Sequence, residues 1–568
     1  MGEGKRTQKT KVFNKKFIRN IIISLLALAV AAIILMIAPD YVLPEKTTGT
    51  TLIINNKNVT SSQRLKDDVI IEDGVIYLSK SDISNFFDKY LYYDSKYNQY
   101  ITTSDDKEAT IVVGEKVINI NGISSNIAGT IIERDGQVYF PISEMENVYN
   151  IDVNKIDSTN TILIDSLDRE KIQAQTTKKV SVKIKPKALS RTITKLDKGS
   201  NVVWISEASN GWIKIRTEDG TIGYVEEKKL ANKVWVREEM QKNSILDGQK
   251  ISLMWDYYSE YAKAPNRETT KIESINVVSP SFFSLKKLGK GEIIDKVGAE
   301  GQKYIAWAKQ NGYQIWAMFS NEAMIETTSE ILNDYKLRQK VINNIVNLAV
   351  KYGINGINMD FENMYEKDKD MYSRFIIELY PRLKECGIIL SVDVTAPDGG
   401  GTWSLCFDRN TIANNADFIA FMAYDQTSAS STKAGTGAGY NWVKTNLDKF
   451  LGQEGIAKEK IILGIPLYAN LWTEDASGKA IAKTVNMKNI DSVLPQNVEK
   501  TWNETLRQYY VEYQENGNTK KMWIEDINSV REKLKLARDY NVAGVAFWEM
   551  DRQDDSLWNE IKEIIFNQ

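Results

Sequence analysis

The C-terminal part of the sequence predicts an α/β fold in which eight parallel strands close into a barrel. From about residue 251 onward, short apolar segments alternate with amphipathic stretches of helical period, a pattern typical of βα units. The predicted strands cover residues 251–255, 274–280, 314–319, 353–362, 388–396, 418–425, 461–468 and 544–549. Eight βα units within about 320 residues predict a TIM (β/α)8 barrel over residues 245–568. The long segment 472–523, between strands seven and eight, predicts a small α+β insertion lobe.

The fourth predicted strand carries polar groups along one of its two faces. Apolar and polar side chains alternate through residues 355–362, and successive side chains of a strand point to opposite faces. The apolar side chains are Ile357, Met359 and Phe361, and the polar ones are Asn358, Asp360 and Glu362. Since a buried acid is costly unless it is paired or used, this row predicts a catalytic site.

Further polar and aromatic residues accumulate at the carboxyl ends of the strands, where the active sites of such barrels lie. They are Trp255 at the end of strand one, Met422, Tyr424 and Asp425 at the end of strand six, Tyr468 at the end of strand seven with Trp472 beyond it, and Trp548 and Glu549 at the end of strand eight. A single Trp or Met on a barrel strand belongs more often to the core. Their coincidence at several strand ends instead indicates a sugar site, because rings stack on C–H surfaces while acids and phenols bind hydroxyls.

The composition narrows the possible chemistry. The 568 residues carry a net charge of −2, which argues against a generally basic nucleic-acid binder. The sequence contains no His, which excludes Ser-His-Asp and Cys-His catalysis and removes the commonest zinc ligand. The two Cys residues, Cys386 and Cys406, flank the fifth predicted strand and lie too far apart for a disulfide. No metal or organic cofactor is called for.

The N-terminus indicates the compartment. Residues 1–16 form a basic tail, and residues 17–38 contain a long uncharged and mostly apolar run. Such a run can cross a bilayer as a helix while the basic tail stays in the cytoplasm. The sequence therefore predicts a single-pass transmembrane anchor in the cell membrane, with the rest of the chain outside the cytoplasm. A cleaved signal peptide, which would give a secreted protein, is the alternative.

Residues 39–50 are a predicted linker. Residues 51–166 predict a small α+β domain that contains an internal sequence repeat. Each copy has two strands joined by an Asp-Gly turn, at 73–74 and at 135–136, followed by a short helical pattern. This region resembles the N-terminal domain of copper amine oxidases, which recurs in bacterial wall proteins. The resemblance implies no copper, because no ligand set is present, and it favours a spacer or a protein-binding module.

Residues 177–230 predict a small β-barrel, because short alternating strands are separated by Gly and Asn turns. The Asn-Gly-Trp turn at 210–212 and the Gly-Tyr-Val segment at 223–225 resemble a bacterial SH3 domain. That resemblance implies binding to cell-wall peptides. Trp204 and Trp212 are interpreted first as core residues, with ligand binding as the alternative.

Four motifs of the predicted barrel, in the right order along the chain, resemble glycoside hydrolase family 18, the chitinase-like family. They are Asn355-Gly356-Ile357-Asn358-Met359-Asp360-Phe361-Glu362 on strand four, Met422-Ala423-Tyr424-Asp425 on strand six, Gly464-Ile465-Pro466-Leu467-Tyr468 on strand seven and Ala546-Phe547-Trp548 on strand eight. Within this family the chain most resembles the bacterial branch tied to spore-cortex and cell-wall lysis.

The resemblance implies substrate-assisted retaining catalysis, in which the 2-acetamido oxygen of the substrate attacks the anomeric carbon. Glu362 would protonate the leaving oxygen and then activate water, while Asp360 would hold the acetamido N–H. Tyr424 would donate a hydrogen bond to the acetamido oxygen. The expected substrate-binding residues are Asn358, Met422, Asp425, Tyr468, Trp548, Trp255 and Trp472, with Trp548 as the floor beneath the sugar and Asp425 either binding a hydroxyl or tuning Glu362.

The sequence departs from the family pattern at three Asn residues. Asn355 and Asn358 stand where the family often has Asp. Asn358 is expected to hydrogen-bond Asp360, but it cannot share a proton with it. The like-charge repulsion that would raise the pKa of Asp360 is therefore expected to be missing, which would shift the pH optimum. Asn470 stands where a basic residue often holds the substrate, so the substrate preference is expected to differ.

These observations predict a membrane-anchored, extracytoplasmic glycosidase that cleaves β-1,4 linkages of a polymer containing N-acetylglucosamine. Peptidoglycan is the favoured polymer, because a wall-type SH3-like domain and a membrane tether would keep the enzyme near the wall. The alternatives are a chitinase or chito-oligosaccharide hydrolase and a non-catalytic sugar-binding protein of the cell wall. The expected partners are the polysaccharide, the cell wall and the membrane.

Overall fold

A computed structural model describes residues 15–41, 49–60, 69–236, 248–259 and 261–567. The chain divides into two compact units. The first, called the N-terminal unit, comprises residues 1–87, 113–116 and 126–241, and the second, the barrel unit, comprises residues 88–112, 117–125 and 242–568. The domain predicted at 51–166 therefore contributes to both units.

The predicted membrane anchor coincides with a helix, α1 (Lys15–Tyr41). In the part of the chain that the structure describes, no helix is both long and apolar enough to cross a membrane. The predicted transmembrane segment at 17–38 is thus not supported. Most of the predicted basic tail and of the linker, residues 1–14 and 42–48, lies outside the described residues.

The described residues of the range 51–166 form short strands, with two short α-helices among them. In chain order these are β1 (Thr51–Ile54), β2 (Lys57–Asn58), β3 (Val69–Glu72), β4 (Val75–Ser79), α2 (Lys80–Phe86), β5 (Tyr92–Asp94), β6 (Gln99–Thr103), β7 (Glu108–Val112), β8 (Val117–Ile120), β9 (Ile123–Asn126), β10 (Ile132–Arg134), β11 (Gln137–Phe140), α3 (Glu146–Tyr149), β12 (Ile151–Ile156) and β13 (Thr161–Ser166). The N-terminal unit contains two four-stranded sheets built from them, in the orders β12-β13-β1-β2 and β10-β11-β4-β3.

Both predicted Asp-Gly turns are confirmed. Asp73 and Gly74 have φ values of 49° and 82° and join the antiparallel strands β3 and β4. Asp135 and Gly136 have φ values of 53° and 73° and join β10 to β11. Two consecutive left-handed residues are what a tight type I′ hairpin requires, so the dipeptides determined these turns locally.

Residues 171–236 form a seven-stranded antiparallel sheet in the N-terminal unit. Its strands are β14 (Lys171–Thr176), β15 (Val180–Lys183), β16 (Thr192–Leu196), β17 (Asn201–Glu207), β18 (Trp212–Thr217), β19 (Ile222–Glu226) and β20 (Leu230–Val236), in the order β16-β15-β19-β18-β17-β14-β20. The sheet begins before the predicted boundary at residue 177. Trp204 and Trp212 are both 7% exposed, which fits their interpretation as core residues. The SH3 assignment stays a prediction.

The barrel unit follows the predicted alternation of strands and helices. Its elements are β21 (Ile251–Asp256), β22 (Val277–Pro280), β23 (Phe283–Leu285), β24 (Ile293–Asp295), α4 (Gly298–Gln310), β25 (Gln314–Ser320), α5 (Ile325–Leu332), α6 (Tyr335–Tyr352), β26 (Gly356–Asp360), α7 (Lys369–Glu385), β27 (Ile389–Val394), α8 (Arg409–Asn414), β28 (Phe418–Met422), α9 (Tyr440–Gly452), β29 (Ile461–Pro466), β30 (Tyr468–Glu474), β31 (Ala480–Asn486), α10 (Ile490–Val493), β32 (Thr501–Asn503), β33 (Gln508–Glu515), β34 (Asn518–Ile524), α11 (Ile527–Tyr540), β35 (Gly544–Trp548) and α12 (Leu557–Ile561).

The eight predicted barrel strands are all present, and every neighbouring pair is parallel. They follow one another around the barrel as β21, β22, β25, β26, β27, β28, β29 and β35, and β35 pairs again with β21. The prediction of a TIM barrel is confirmed. The antiparallel hairpin β23–β24, which extends the sheet beside β25, was not predicted from the sequence.

The pleat of β26 divides its side chains as predicted. Phe361, directly after the strand, points outward, because its ring stacks on those of Tyr372 and Phe375 of α7 at centroid distances of 5.8 and 5.9 Å. Asn358 points into the barrel, where it bonds to Trp255 of β21. The polar row of the opposite face therefore lines the barrel interior.

The predicted insertion lobe is also present. Strands β30 to β34 form an antiparallel sheet in the order β31-β30-β34-β33-β32, with the short helix α10 between β31 and β32. The lobe has a small core of its own, which includes Leu471, Val511 and Met522. The sheet begins at Tyr468, slightly earlier than predicted, so the carboxyl end of strand seven runs directly into the lobe.

The sheet β5–β9 is part of the barrel unit and packs on helices α6 and α7. Glu108 of β7 is 1% exposed and accepts a hydrogen bond from the Tyr335 hydroxyl at 3.3 Å. The Tyr97 hydroxyl donates to Asp334 at 3.0 Å, and the same carboxylate caps the first turn of α6.

Cys386 and Cys406 are both free thiols.

Candidate active site

Two acids lie at the carboxyl end of β26. Asp360 is the last residue of the strand, Glu362 follows two residues later, and both are partly buried. The main chain of Glu362 is clamped by the Asn321 side chain: Asn321 Oδ1 accepts from the Glu362 N–H at 3.0 Å, and Asn321 Nδ2 donates to the Glu362 carbonyl at 2.8 Å. This buried amide thus fixes the position of the second acid.

Asn358 lies below the acids in a buried polar network. Its Oδ1 accepts from Trp255 Nε1 at 2.7 Å and from the Ser279 hydroxyl at 3.1 Å. Its Nδ2 donates to Asp393 Oδ1 at 2.6 Å and lies 3.5 Å from the Ser391 hydroxyl. The amide therefore ties together strands β21, β22, β26 and β27.

This network corrects the expectation that Asn358 hydrogen-bonds Asp360. Both polar atoms of Asn358 have other partners, and the donor group is used by Asp393. The pKa of Asp360 is nevertheless raised to about 7, mainly because the group is buried and further because Glu322 lies nearby. The loss of an acid at position 358 therefore does not leave Asp360 with an ordinary pKa.

Glu362 has the properties of a general acid at neutral pH. Burial raises its pKa to about 8, and the negative charges of Asp360 and Asp425 act in the same direction. A carboxyl with this pKa is mostly protonated at pH 7. The two acids of one strand are thus suited to different tasks, one as a proton donor and the other as an ionisable partner.

Tyr424 and Met422 reach the site from β28. They are 7% and 4% exposed. Burial raises the pKa of the Tyr424 hydroxyl, with Asp393 as the next cause, so this group remains a hydrogen-bond donor. The approach of β29 to this side chain needs Gly464, because a Cβ there would lie 2.7 Å from the Phe421 carbonyl and 3.3 Å from the Tyr424 ring.

An aromatic cluster lies beside the acids. The Trp548 ring stacks on that of Tyr424, with ring centroids 6.4 Å apart. Its centroid lies 5.8 Å from that of Trp255 and 6.0 Å from that of Tyr257. Trp548 is partly exposed at the end of β35, so part of its ring is open to a ligand. This is the arrangement expected for the floor of a sugar site.

Asp425 and Tyr468 form a second polar pair at the rim. The Tyr468 hydroxyl donates to Asp425 Oδ1 at 2.6 Å. The Arg552 guanidinium lies 5.4 Å from the centre of the Tyr468 ring and donates to Glu549 at 2.6 Å. These contacts connect strands six, seven and eight next to Glu362, whose pKa Asp425 helps to raise.

Two of the predicted sugar-binding Trp residues have structural positions instead. Trp255 and Trp472 are fully buried, so neither has a free ring face. Trp255 donates to Asn358, and Trp472 Nε1 donates to the Gly435 carbonyl at 2.9 Å and thereby holds the loop between β28 and α9. Both act on the site by supporting it.

The other two Asn departures hydrogen-bond to groups other than the acids. Asn355 Oδ1 accepts from the Ile315 N–H at 3.0 Å, which holds β26 against β25 at the start of the strand. Asn470 is 3% exposed in the lobe, and its Oδ1 accepts from the Thr484 hydroxyl at 3.0 Å. The contact of Asn355 is structural, and the expected effect of Asn470 on substrate preference stays a prediction.

Three residues of the site, Asn321, Glu322 and Asp393, were not predicted from the sequence. A signal for Asp393 existed, because Ser391 and Asp393 alternate with Val392 and Val394 on strand five just as the polar row does on strand four. Asn321 and Glu322 directly follow β25 at its carboxyl end, so the rule that places active sites at the strand ends could also have found them.

The activity is expected to follow a narrow bell-shaped dependence on pH. Glu362 must be protonated to act as an acid, so activity falls as the pH rises through about 8. Asp360 must be ionised to support a cation, so activity falls as the pH drops through about 7. The kcat/KM profile of the free enzyme measures both limbs, which belong to the interacting pair of acids. A flat profile between about pH 5 and 9 would contradict this assignment.

Replacing Trp548 with Ala is expected to weaken substrate binding. Losing a ring that a sugar covers costs about 1.5 kcal/mol or more, which corresponds to about a tenfold rise in the KM of a soluble oligosaccharide. The matched control is Trp235→Ala, because Trp235 is 64% exposed in the N-terminal unit. Equal KM values for the two variants would show that Trp548 is not the floor of the site.

Comparison with known proteins supports the barrel as a sugar-cleaving domain. The pattern of glycosyl hydrolases family 18 matches residues 253–553, and that of the copper amine oxidase N-terminal domain matches residues 53–164. The uncharacterized glycosylase YvbX of Bacillus subtilis is 27% identical over 300 residues, which cover 51% of this chain and 84% of that protein. The cortical fragment-lytic enzyme of Bacillus anthracis is 28% identical over 253 residues, or 42% of this chain and 56% of that enzyme.

A plant protein and a solved structure extend the comparison. The class V chitinase CHIT5 of Lotus japonicus is 24% identical over 265 residues, covering 40% of this chain and 64% of the chitinase. The crystal structure of a chitinase from Chromobacterium violaceum superposes with a TM-score of 0.50 at 21% identity, covering 56% of this chain and 100% of that one. This likeness shows the shared fold. With the family pattern spanning more than half of the sequence, the chain belongs to family 18 of the glycosyl hydrolases and is a glycoside hydrolase.

Proposed function

We propose that the protein hydrolyses β-1,4 linkages next to N-acetylglucosamine by substrate-assisted retaining catalysis. The observation that carries this proposal is the pair of acids at the end of β26. Burial raises the pKa of Glu362 to about 8, and Asp360 lies two residues earlier at the end of the same strand. One strong acid is sufficient when the 2-acetamido group of the substrate acts as the nucleophile.

In this reaction Glu362 donates its proton to the leaving glycosidic oxygen while the acetamido oxygen attacks the anomeric carbon. The positively charged oxazolinium ion that forms is stabilised by the carboxylate of Asp360, which accepts the acetamido N–H. Tyr424 donates its hydroxyl to the acetamido oxygen and orients it. Glu362 then takes a proton from the water that attacks the anomeric carbon and opens the oxazolinium ring. The enzyme returns to its starting state, and the anomeric carbon keeps its configuration.

Peptidoglycan is the favoured polymer. Among the relatives are proteins named cortical fragment-lytic enzyme and putative sporulation-specific glycosylase, and this chain spans 56% and 54% of their lengths. The SH3-like region at 177–230 is proposed to bind the wall, which would hold the barrel near such a polymer. The partly exposed Trp548 and the Asp425–Tyr468 pair supply the ring face and the polar groups that a sugar chain needs.

Chitin or chito-oligosaccharides are the second candidate substrate. The relatives named class V chitinase favour it, and both polymers share the β-1,4-linked N-acetylglucosamine unit. The full chain would be incubated with purified peptidoglycan and, separately, with chitin oligomers, each beside a Glu362→Gln control. Release of reducing ends from peptidoglycan at a clearly higher kcat/KM supports the first candidate. Release from chitin alone would replace it with the second, and release from neither would contradict the proposed reaction.

We also propose that residues 39–568 lie outside the cytoplasm, because a basic tail at 1–16 precedes the apolar run at 17–38. The run would anchor the protein in the membrane or, if it is cleaved, release it. Protease treatment of intact cells without their wall tests this location. Digestion of the barrel in intact cells is expected, whereas digestion only after lysis would place it in the cytoplasm.

A further inference from the structure

The neighbouring strand β27 places a second carboxyl beside Asp360. Asn358 pairs with Ser391 and Met359 pairs with Val392 across β26 and β27, so the next step of the parallel register sets Asp360 against Asp393. Adjacent strands lie about 4.8 Å apart, and paired residues point to the same face. Asp393 faces the barrel interior, since its Oδ1 accepts from Asn358 Nδ2 at 2.6 Å.

Asp393 is suited to hold a proton. It is 1% exposed. Burial raises its pKa well above the ordinary value, and Asp360 and Glu362 add to this, while the hydrogen bond from Asn358 and the nearby Nε1–H of Trp255 oppose it. Burial and the two neighbouring acids thus favour the neutral form of this carboxyl.

The other titratable groups facing Asp393 are phenols. Tyr424 approaches from β28 and Tyr372 from α7. Burial raises the pKa of both hydroxyls, and Asp393 is the next cause in each case. Both phenols are therefore neutral at pH 7, so the charge beside Asp393 depends on the carboxyl groups of Asp360 and Glu362.

We propose that Asp393 is the carboxyl partner of Asp360, and that the two hold one proton between them across strands β26 and β27. This chain has an amide at position 358, where a partner acid would precede Asp360 on its own strand. The partner acid is instead on the neighbouring strand, and Asn358 orients it. Asp393 keeps the proton while the carboxylate of Asp360 stabilises the oxazolinium ion. Asp393 does not touch the substrate and acts through Asp360, so it is a positioning residue. The inference depends on the proposed role of Asp360.

The kinetic test exchanges the acid and the amide between positions 358 and 393. Asp393→Asn removes the carboxylic acid whose shared proton stabilises ionised Asp360, so the pKa of Asp360 rises and the acidic limb of the kcat/KM profile moves to higher pH by about one unit. The double variant Asn358→Asp with Asp393→Asn restores one carboxyl beside Asp360 and is expected to return the limb to its wild-type position. The matched control is Asp417→Asn, a partly buried acid directly before β28 that accepts from the Leu390 N–H. An acidic limb unmoved in Asp393→Asn, or moved equally in the control, would overturn the proposal.

An infrared measurement tests the shared proton without any substrate. At pH 7 the wild type is expected to show one more protonated-carboxyl C=O band than Asp393→Asn, and the exchanged double variant to regain it. If Asp393→Asn does not fold, the band is followed by pH titration in the wild type and in the double variant, because each keeps one carboxyl beside Asp360. Absence at pH 7 of the expected band from both the wild type and the double variant would contradict the proposal. This result stands even if no tested polymer is cleaved, so failure of the proposed substrate and failure of this inference are distinguishable.

Discussion

Replacing Glu362 with Gln is expected to lower kcat/KM by about 10²–10⁴-fold while the fold stays intact. The amide has the size of the acid but cannot donate a proton to a leaving oxygen. The position of this residue is held through its main chain by Asn321, and the substitution leaves both of those hydrogen bonds in place. The rate of reducing-end release and the circular dichroism spectrum of the same preparation measure the two effects.

The control for this prediction is Glu330→Gln, which removes an exposed acid from helix α5. It is expected to leave the rate within about twofold of the wild type, as surface substitutions usually do. A Glu362→Gln enzyme that keeps more than a tenth of the wild-type rate would show that another group supplies the proton.

The second large effect is expected on stability, from a buried ion pair between two barrel helices. Arg338 of α6 and Glu378 of α7 are 1% and 0% exposed and form two hydrogen bonds of 2.9 Å. Replacing Arg338 with Ala leaves a buried carboxylate without its partner and should cost about 3–5 kcal/mol of unfolding free energy. Urea denaturation of the full chain, monitored by tryptophan fluorescence, measures this loss.

A double variant separates the worth of the pair from the cost of breaking it. Arg338→Met together with Glu378→Leu replaces both charges with apolar groups of similar size, so no buried charge is left unpaired. It is expected to lose much less stability than Arg338→Ala. If the single variant costs less than about 1 kcal/mol, or if the double variant costs as much as the single one, the explanation by an unpaired charge is wrong.

The barrel strands could be predicted because their signal is local. Buried apolar segments of fixed length, interrupted by amphipathic helices, are set by the periodicity of the sequence itself. The hairpins at Asp73-Gly74 and Asp135-Gly136 were predictable for the same reason, since two residues determine the turn. The assignment of β5–β9 to the barrel unit was not predictable, because it depends on buried tertiary contacts such as that between Glu108 and Tyr335.

Within the site, too, features set by local sequence patterns could be predicted, and those set by tertiary contacts could not. Alternation along one strand placed Asp360 and Glu362 together, and their raised pKa values follow from burial. The contact between Asn358 and Asp393 depends on the register of two strands that are separated by a long helix. The burial of Trp255 and Trp472 likewise depends on what packs over them, which a single sequence does not specify.

The stereochemistry of the first product tests the proposed mechanism most directly. Wild-type enzyme would be mixed with the polymer it cleaves best, and the anomeric proton of the new reducing end followed by NMR before mutarotation. Attack by the substrate's own acetamido group followed by water retains the configuration, so the β-anomer is expected first. Initial appearance of the α-anomer would mean a single displacement by water, and it would contradict the proposed roles of Glu362, Asp360 and the acetamido group.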